Sequence, residues 1–240
     1  GTRHRYSRIN PSIHGVKMAM NVCIIPARGG SKRIPRKNIK DFNGKPMLAY
    51  AIDTAKKTGL FERIVVSTDD TEIAEIAEQF GASVLWRPDE LANDYATTIA
   101  VIRHAIETLD LASAMVCCVY PCTPLLTSEQ LSDGLQKLTQ AQQSGRQAKF
   151  CFPVLEFASV IFRGLQLDEQ GLVSTIFAAT EQQRTQDLRH AYYDAGQFYW
   201  GQAADWLTLD SIHNHGIALP LPKHSVVDID DEMDWQFAEQ

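Results

Sequence analysis

The sequence predicts an α/β protein built on a doubly wound, mostly parallel sheet, and three observations carry that reading. Short β-rich runs alternate with helical stripes over the first half of the chain, the order that a parallel sheet with right-handed crossovers requires. The run Ala114–Tyr120 (AMVCCVY) is apolar almost throughout, as a central parallel strand covered on both faces should be. The chain has 240 residues, 45% of them hydrophobic, enough for one sizeable domain.

Taken in order, Asn21–Pro26 (NVCIIP) reads as a buried strand, followed by a long basic loop. Pro46 then marks the entrance of a helix from about Met47 to Lys57. Arg63–Ser67 is the second strand. The next helix is expected to start at Asp69, with Glu72 at capping-box spacing, and Ile73, Ile76, Ala77 and Phe80 give it one apolar face. Ala82–Trp86 is a third strand, and Ile99, Ile102, Ile106 and Leu109 stripe the helix after it. Beyond the central strand, Thr127 and Gln130 offer a second capping box for a helix faced by Leu131, Leu135 and Leu138. After Lys149 the rhythm breaks. Phe150–Val154, Ser159–Arg163 and Gly196–Trp200 read as strands around a polar loop from Thr180 to Arg189, and the section reads as an inserted β-rich arm or a dimerisation element. A short helix from Asp230 to Ala238 closes the chain.

Charge and segment composition exclude several classes of function. Residues 1–19 read as an appended or disordered leader, and residues 20–240 as a single domain. The leader lacks the apolar core of a secretory signal, and no stretch is long and apolar enough for a membrane span. The formal net charge is −6. The leader's four cations (Arg3, Arg5, Arg8, Lys17) have no acids beside them, so the remainder carries −10. So acidic a chain is a poor nucleic-acid binder. Five cysteines in no metal-type spacing read as reduced, buried thiols of a cytoplasmic protein.

Against that acidic background the segment PARGGSKRIPRKN (Pro26–Asn38) stands out, with Arg28, Lys32, Arg33, Arg36 and Lys37 directly after the first strand. Gly29, Gly30 and Ser31 allow close backbone approach to an anion, and the cations suit a triphosphate whose pyrophosphate must be neutralised as it leaves. The spacing is neither that of a Walker A loop nor that of a dinucleotide fingerprint. A second feature is VDID (Val227–Asp230), where alternation puts Asp228 and Asp230 on one side of an extended segment. Paired carboxylates suit Mg²⁺ held jointly with phosphate oxygens; the alternative is that these acids only cap the last helix. RPDELAND (Arg87–Asp94) and YPCTPLL (Tyr120–Leu126) follow strands at the edge where such sheets bind ligands. Cys122 has no histidine placed by sequence to activate it as a nucleophile. His213 and His215 read as solvated loop residues.

These segments, in this order from about Met20 to the C-terminus, resemble the CMP-sugar-acid synthetases, the family that includes CMP-sialic acid synthetase and the Kdo cytidylyltransferases. The resemblance implies a Rossmann-like nucleotidyltransferase that uses CTP, a divalent ion (Mg²⁺ or Mn²⁺) and a nonulosonic acid. It implies that Ala27, Arg28, Gly29, Gly30, Ser31, Lys32, Lys37, Asn38 and Arg87 meet the nucleotide, and that Asp228 and Asp230 hold the metal. Arg28, Lys37 and the two aspartates would carry catalysis. Tyr120, Arg184, Gln186, Asp187, Asp194 and Gln197 would meet the sugar acid, with an arginine on its carboxylate. A homodimer is implied, in which an inserted arm at about residues 140–190 reaches across to the partner. The chain departs from the sialic acid pattern at the central turn, where Tyr120, Cys122 and Leu126 replace Gln, Thr and Arg. Losing those contacts argues for a less hydroxylated tail, such as that of pseudaminic acid, rather than a sialic or legionaminic acid. Ala178–Gly201 and Lys45–Asp53 also look most like the members that use that sugar. A non-catalytic nucleotide-binding protein of the same fold is the rival from another class.

Overall fold

The computed structural model describes residues 19–240, so the leader expected over residues 1–19 lies, but for Ala19, outside the described residues. The chain begins with β1 (Asn21–Pro26), and a two-residue hairpin, β2 (Asp41–Phe42) and β3 (Lys45–Pro46), leads into α1 (Met47–Lys57). There follow β4 (Arg63–Thr68), α2 (Thr71–Gln79), β5 (Ser83–Trp86), α3 (Thr98–Thr108), β6 (Met115–Val119) and α4 (Ser128–Gln143). Next come β7 (Phe150–Glu156), a hairpin of β8 (Leu165–Leu167) and β9 (Val173–Thr175), then β10 (Tyr192–Asp194) and β11 (Phe198–Gln202). The order ends with α5 (Ala203–Thr208), β12 (Gly216–Pro220) and α6 (Glu232–Ala238).

The main sheet runs β10-β7-β11-β6-β1-β4-β5, with β12 also paired to β7. Its β6-β1-β4-β5 half is parallel, as the alternating elements predict. In the other half β11 runs antiparallel to both β6 and β7, β10 antiparallel to β7, and β12 parallel to β7. Side-chain alternation sorts the strands onto two cores. Cys23 and Ile25 face one, filled from α1, α2 and α4; Val22 and Ile24 face the other, filled from α3 and α5. All five residues of β6 are buried, which is why its sequence shows no polar alternation.

Several expected boundaries move. The cap of α2 is Asp70, whose side chain accepts from the Ile73 N–H, because Asp69 is committed elsewhere. Ser159–Arg163 is not a strand: Ile161–Arg163 forms a 3₁₀ turn. The strand expected from Gly196 starts at Phe198, since Gly196 takes φ +64° in the turn before it. The last helix starts at Glu232 rather than Asp230, capped reciprocally by Asp231 and Asp234. The capping box of Thr127 and Gln130 forms as read. Within the span expected for the arm, residues as far as 156 lie in α4 and β7; the part that leaves the main sheet is 157–191.

A third, smaller core positions the site. Ile34, Phe42, Met47, Ile229 and Trp235 pack together, with Trp235 edge-on to Phe42 at 5.5 Å. This cluster joins the basic loop after β1 to the segment before α6, which are far apart in sequence.

Candidate active site

Sheet order places the loops after β1, β4, β5 and β6 at one edge, around the point where the connections from β1 diverge to either side. The turn between β10 and β11 reaches the same edge: Phe198 pairs with Val119, and the Tyr120 N–H donates to the Gln197 carbonyl at 2.9 Å.

The five cations of the basic loop do not act alike. Arg36 is turned away from any ligand. It sits at φ +58° and forms a two-pronged pair with Asp70 (2.5 and 2.8 Å) and a further bond to Glu72 (2.8 Å). The Arg36 guanidinium holds the Asp70 carboxyl below its usual range. The stability from this pair is therefore present above the unfolded carboxyl's titration near pH 4 and is lost as pH falls through the lower folded value. Asp70→Asn should lower unfolding free energy at pH 7 by about 1–2 kcal/mol, and should flatten its loss below about pH 4. Denaturant unfolding at several pH values tests this, and parallel curves for native and variant would remove the pair from the account.

The other four cations line the cleft. Arg28 (2.5 Å) and Lys32 both pair with Asp94, and these two cations hold the Asp94 carboxyl low. Arg33 pairs with Asp230 at 2.9 Å, and the Lys37 ammonium donates to the Ile229 carbonyl. The Gly29 N–H donates to Asp69 at 2.9 Å, and Asn38 holds the Arg28 carbonyl at 3.1 Å. Arg87 is 7% exposed and donates to Ser67 and to the Leu91 carbonyl; burial lowers its pKa, with the Asp69 charge opposing the shift.

Three hollows meet around this loop. One, of about 260 Å³, is lined by Arg28, Asn38, Arg87, Asp94, Thr98 and Pro121. The second, about 340 Å³, is lined by Arg28, Ser31, Lys32, Arg33, Lys37 and Asp230. The largest, about 520 Å³, lies between Lys37, Tyr120, Asp194, Gln197, Lys223 and Asp228. Arg28 borders the first and second, Lys37 the second and third, and Asn38 the first and third, so the loop is their common wall. Ala27 is fully buried beneath it and contributes backbone only.

The segment before α6 is extended but pairs with no strand. Ile229 is 3% exposed in the third core while Asp228 and Asp230 on either side project outward. Asp228 makes no hydrogen bond or ion pair among the described residues. Since Asp231 and Asp234 cap α6, the outward pair is free of that duty. No cluster of three or more His, Cys, Asp or Glu suited to a metal occurs among the described residues. Two outward carboxylates, Asp230 on the second hollow and Asp228 on the largest, suit Mg²⁺ or Mn²⁺, which take most of their ligands from phosphate and water. Cys122 borders the largest hollow, but burial pushes its thiol up to about 11, against the attraction of Lys37, so it is a poor nucleophile at neutral pH.

Of the residues expected at a sugar acid, Tyr120, Asp194 and Gln197 line the largest hollow. Gln197 is 4% exposed and its amide folds onto the Ala195 and Gly196 carbonyls. Arg184, Gln186 and Asp187 stand apart from that hollow in the 157–191 excursion, where Arg184 pairs with Asp187 at 2.8 Å. Sequence reasoning missed two residues here. Lys223 lines the same hollow, and His213, exposed as expected, also bonds Asp194 at 2.8 Å.

A cytidylyltransferase family model matches residues 22–204. A pseudaminic acid cytidylyltransferase of Campylobacter jejuni subsp. jejuni serotype O:2 is 43% identical over 223 residues, which cover 91% of this chain and 94% of that protein. An N-acylneuraminate cytidylyltransferase of Escherichia coli O18:K1:H7 is 28% identical, over 90% of this chain and 51% of that one. Among solved structures, a CMP:2-keto-3-deoxy-manno-octonic acid synthetase complexed with CTP superposes with a TM-score of 0.68 at 13% identity, covering 92% of this chain and 97% of the other, a likeness of fold. The family match ends before His213, Lys223 and the aspartate pair.

Proposed function

The chain belongs to the cytidylyltransferase family, and from that premise we propose that it transfers CMP from CTP to the anomeric hydroxyl of pseudaminic acid, releasing pyrophosphate. The observation that carries the reading is the junction of the basic loop with the acidic pair: Arg33 on Asp230 and Lys37 on the Ile229 carbonyl set the phosphate-binding surface against the acidic segment, with Asp230 on the phosphate-sized hollow and Asp228 on the largest hollow beside it. CTP would lay its base against Arg87 and Thr98 and its phosphates over Gly29–Lys37, displacing Asp94 from Arg28 and Lys32. The sugar acid would occupy the largest hollow. Its anomeric oxygen bonds to the α-phosphorus, the bond to the β-phosphate oxygen breaks, pyrophosphate leaves, and the hydroxyl proton passes to solvent. Arg28 and Lys37 offset the charge that develops on the phosphates, and positioning and electrostatics lower the barrier without a covalent enzyme intermediate. Asp228 and Asp230 would hold Mg²⁺ or Mn²⁺, which supplies charge neutralisation to the phosphates when bound.

The test is pyrophosphate release from CTP and Mg²⁺ with pseudaminic, N-acetylneuraminic, legionaminic and Kdo acids in parallel. Rapid release with pseudaminic acid alone is expected. Release with another acid instead would reassign the substrate, and CTP binding without release from any would favour the non-catalytic reading.

The active form is proposed to be a homodimer in the cytoplasm. Supporting it, the 157–191 excursion exposes Leu165, Leu167, Leu172, Val173 and Ile176, more apolar surface than a lone hairpin should present to water. Packed on a second copy, the excursion would carry Arg184, Gln186 and Asp187 towards the partner's sugar pocket. Light scattering should give twice the chain mass, and Leu167→Glu with Leu172→Glu should halve it; a native monomer would overturn the proposal. No helix of the described residues is long and apolar enough to cross a membrane, and all five cysteines are unpaired thiols, in keeping with a reducing compartment.

A further inference from the structure

Asp194 is held by three donors. Its Oδ1 accepts from the Gly196 N–H at 2.8 Å, and its Oδ2 accepts from the Tyr199 hydroxyl at 2.6 Å and meets the His213 Nε2 at 2.8 Å. The roles are fixed. A backbone N–H can only donate. Tyr199 is 4% exposed, and its burial, with Tyr120 and Asp194 beside it, pushes the phenol above its ordinary value, so it keeps its proton. The His213 nitrogen must therefore donate as well, since Oδ2 has only acceptor capacity to offer. His213 is itself held edge-on against Phe152 at 5.3 Å.

The Tyr199 and His213 contacts sit on the far side of a thin wall, while Gly196 lies on the near side. Asp194 and Tyr120 border the proposed sugar hollow on one side and, on the other, a separate hollow of about 390 Å³ that contains Tyr199 and His213. A carboxylate has about four acceptor positions, and three are filled from within the protein. We infer that the Asp194 carboxylate is fixed in orientation with one acceptor position open to the sugar pocket, taking a single O–H or N–H of the sugar acid, and that His213 is its positioning residue, bracing it from behind the wall. The inference rests on the reading of the largest hollow as the sugar site. It makes Asp194 selective for a donor group and excludes an anionic substituent at that position.

The experiment uses the full chain with CTP, Mg²⁺ and pseudaminic acid, comparing His213→Ala, His213→Gln and Asp194→Asn by steady-state kinetics. His213→Ala should raise KM for the sugar acid about tenfold, the scale of loosening one hydrogen bond to a charged group, with KM for CTP within about twofold of native. His213→Gln, whose amide can still donate, should recover most of that loss. A general structural defect would move both KM values together and would not be rescued. Asp194→Asn puts an NH₂ against donors and should exceed His213→Ala in effect. If Asp194→Asn impairs sugar use while His213→Ala leaves the sugar KM unchanged, or the glutamine is no better than the alanine, the positioning role is overturned. If Asp194→Asn leaves sugar KM and kcat unchanged, the sugar-site reading itself falls. Should His213→Ala fail to fold, the glutamine variant against native protein still decides: a sugar KM more than about tenfold raised, with CTP KM native, counts against a donor role.

Discussion

Asp230→Asn is expected to lower kcat by about 10²-fold or more in saturating CTP and Mg²⁺, the scale of losing a principal electrostatic contact in a reaction that depends on charge neutralisation. The substitution keeps shape and removes charge. The Asp230 backbone N–H would still donate to Asp234, and Ile229 would still fill the third core, so the segment should stay in place. What is lost is the carboxylate that borders the hollow lined by Arg28, Lys32 and Lys37. Asp228→Asn should be equally damaging. Asp231→Asn is the control, because Asp231 caps α6 and takes no part in the proposed site. It should cost at most about 1 kcal/mol of stability and leave turnover near native. A near-native rate for Asp230→Asn, or equal losses in all three, would mean that the acids serve the helix rather than the reaction.

The second large effect is expected at Gly29. A Cβ there would stand 2.7 Å from the Asp70 Oδ2 and 3.0 Å from its Cβ. Asp70 cannot yield, since Arg36 grips it with two bonds and the Ile73 N–H holds it as the cap of α2. Gly29→Ala should therefore push the loop outward, break the Gly29 N–H bond to Asp69, and cost about 1–3 kcal/mol as an overpacked site. CTP affinity should fall at least about tenfold, since the loop's N–H groups and the Arg28 side chain move together. Gly30 separates fold from ligand: its added Cβ would find nothing nearer than the Arg28 Nη1 at 3.9 Å. Gly30→Ala should melt at the native temperature while still weakening CTP. Melting curves with nucleotide titration distinguish the two, and identical behaviour of both variants would show that the loop does not rest on Asp70.

These predictions also mark how far the sequence could be read. The first strand was legible to the residue, because the apolar run Val22–Ile25 is opened by a polar Asn21 and closed by Pro26 before the basic loop. The capping box of Thr127 and Gln130 was legible because its partners are three residues apart. The antiparallel half of the sheet was not: Phe150–Glu156 and Phe198–Gln202 carry the same apolar texture as parallel strands, and direction is set by tertiary pairing. In the site, the residue types and the edge were readable, but their partition was not. Five clustered cations read as one phosphate surface, although Arg36 serves Asp70 and only four face the cleft. Capping-box spacing to Glu72 points to Asp69, but the Gly29 N–H, 40 residues away, takes Asp69 and leaves the cap to Asp70. His213 gave no local cue, since its partner Asp194 is 19 residues earlier, across a strand and a helix. The Arg87–Asp94 segment did carry a usable hint, in that an acid spaced after a buried arginine at the ligand edge proved to be the one that holds Arg28 and Lys32.

The third core has a consequence for how the molecule comes into being. Ile34, near the start of the chain, and Ile229, near its end, are buried in the same knot. A ribosome making this protein delivers the parallel β6-β1-β4-β5 half of the sheet, and the whole basic loop, long before it delivers Ile229 and Trp235. The nascent chain thus carries a cationic segment before the partners of Arg33 and Lys37, Asp230 and the Ile229 carbonyl, have been added. The seat of the basic loop is completed only when Ile229 and Trp235 join Ile34, Phe42 and Met47, about 190 residues after the loop itself has been made.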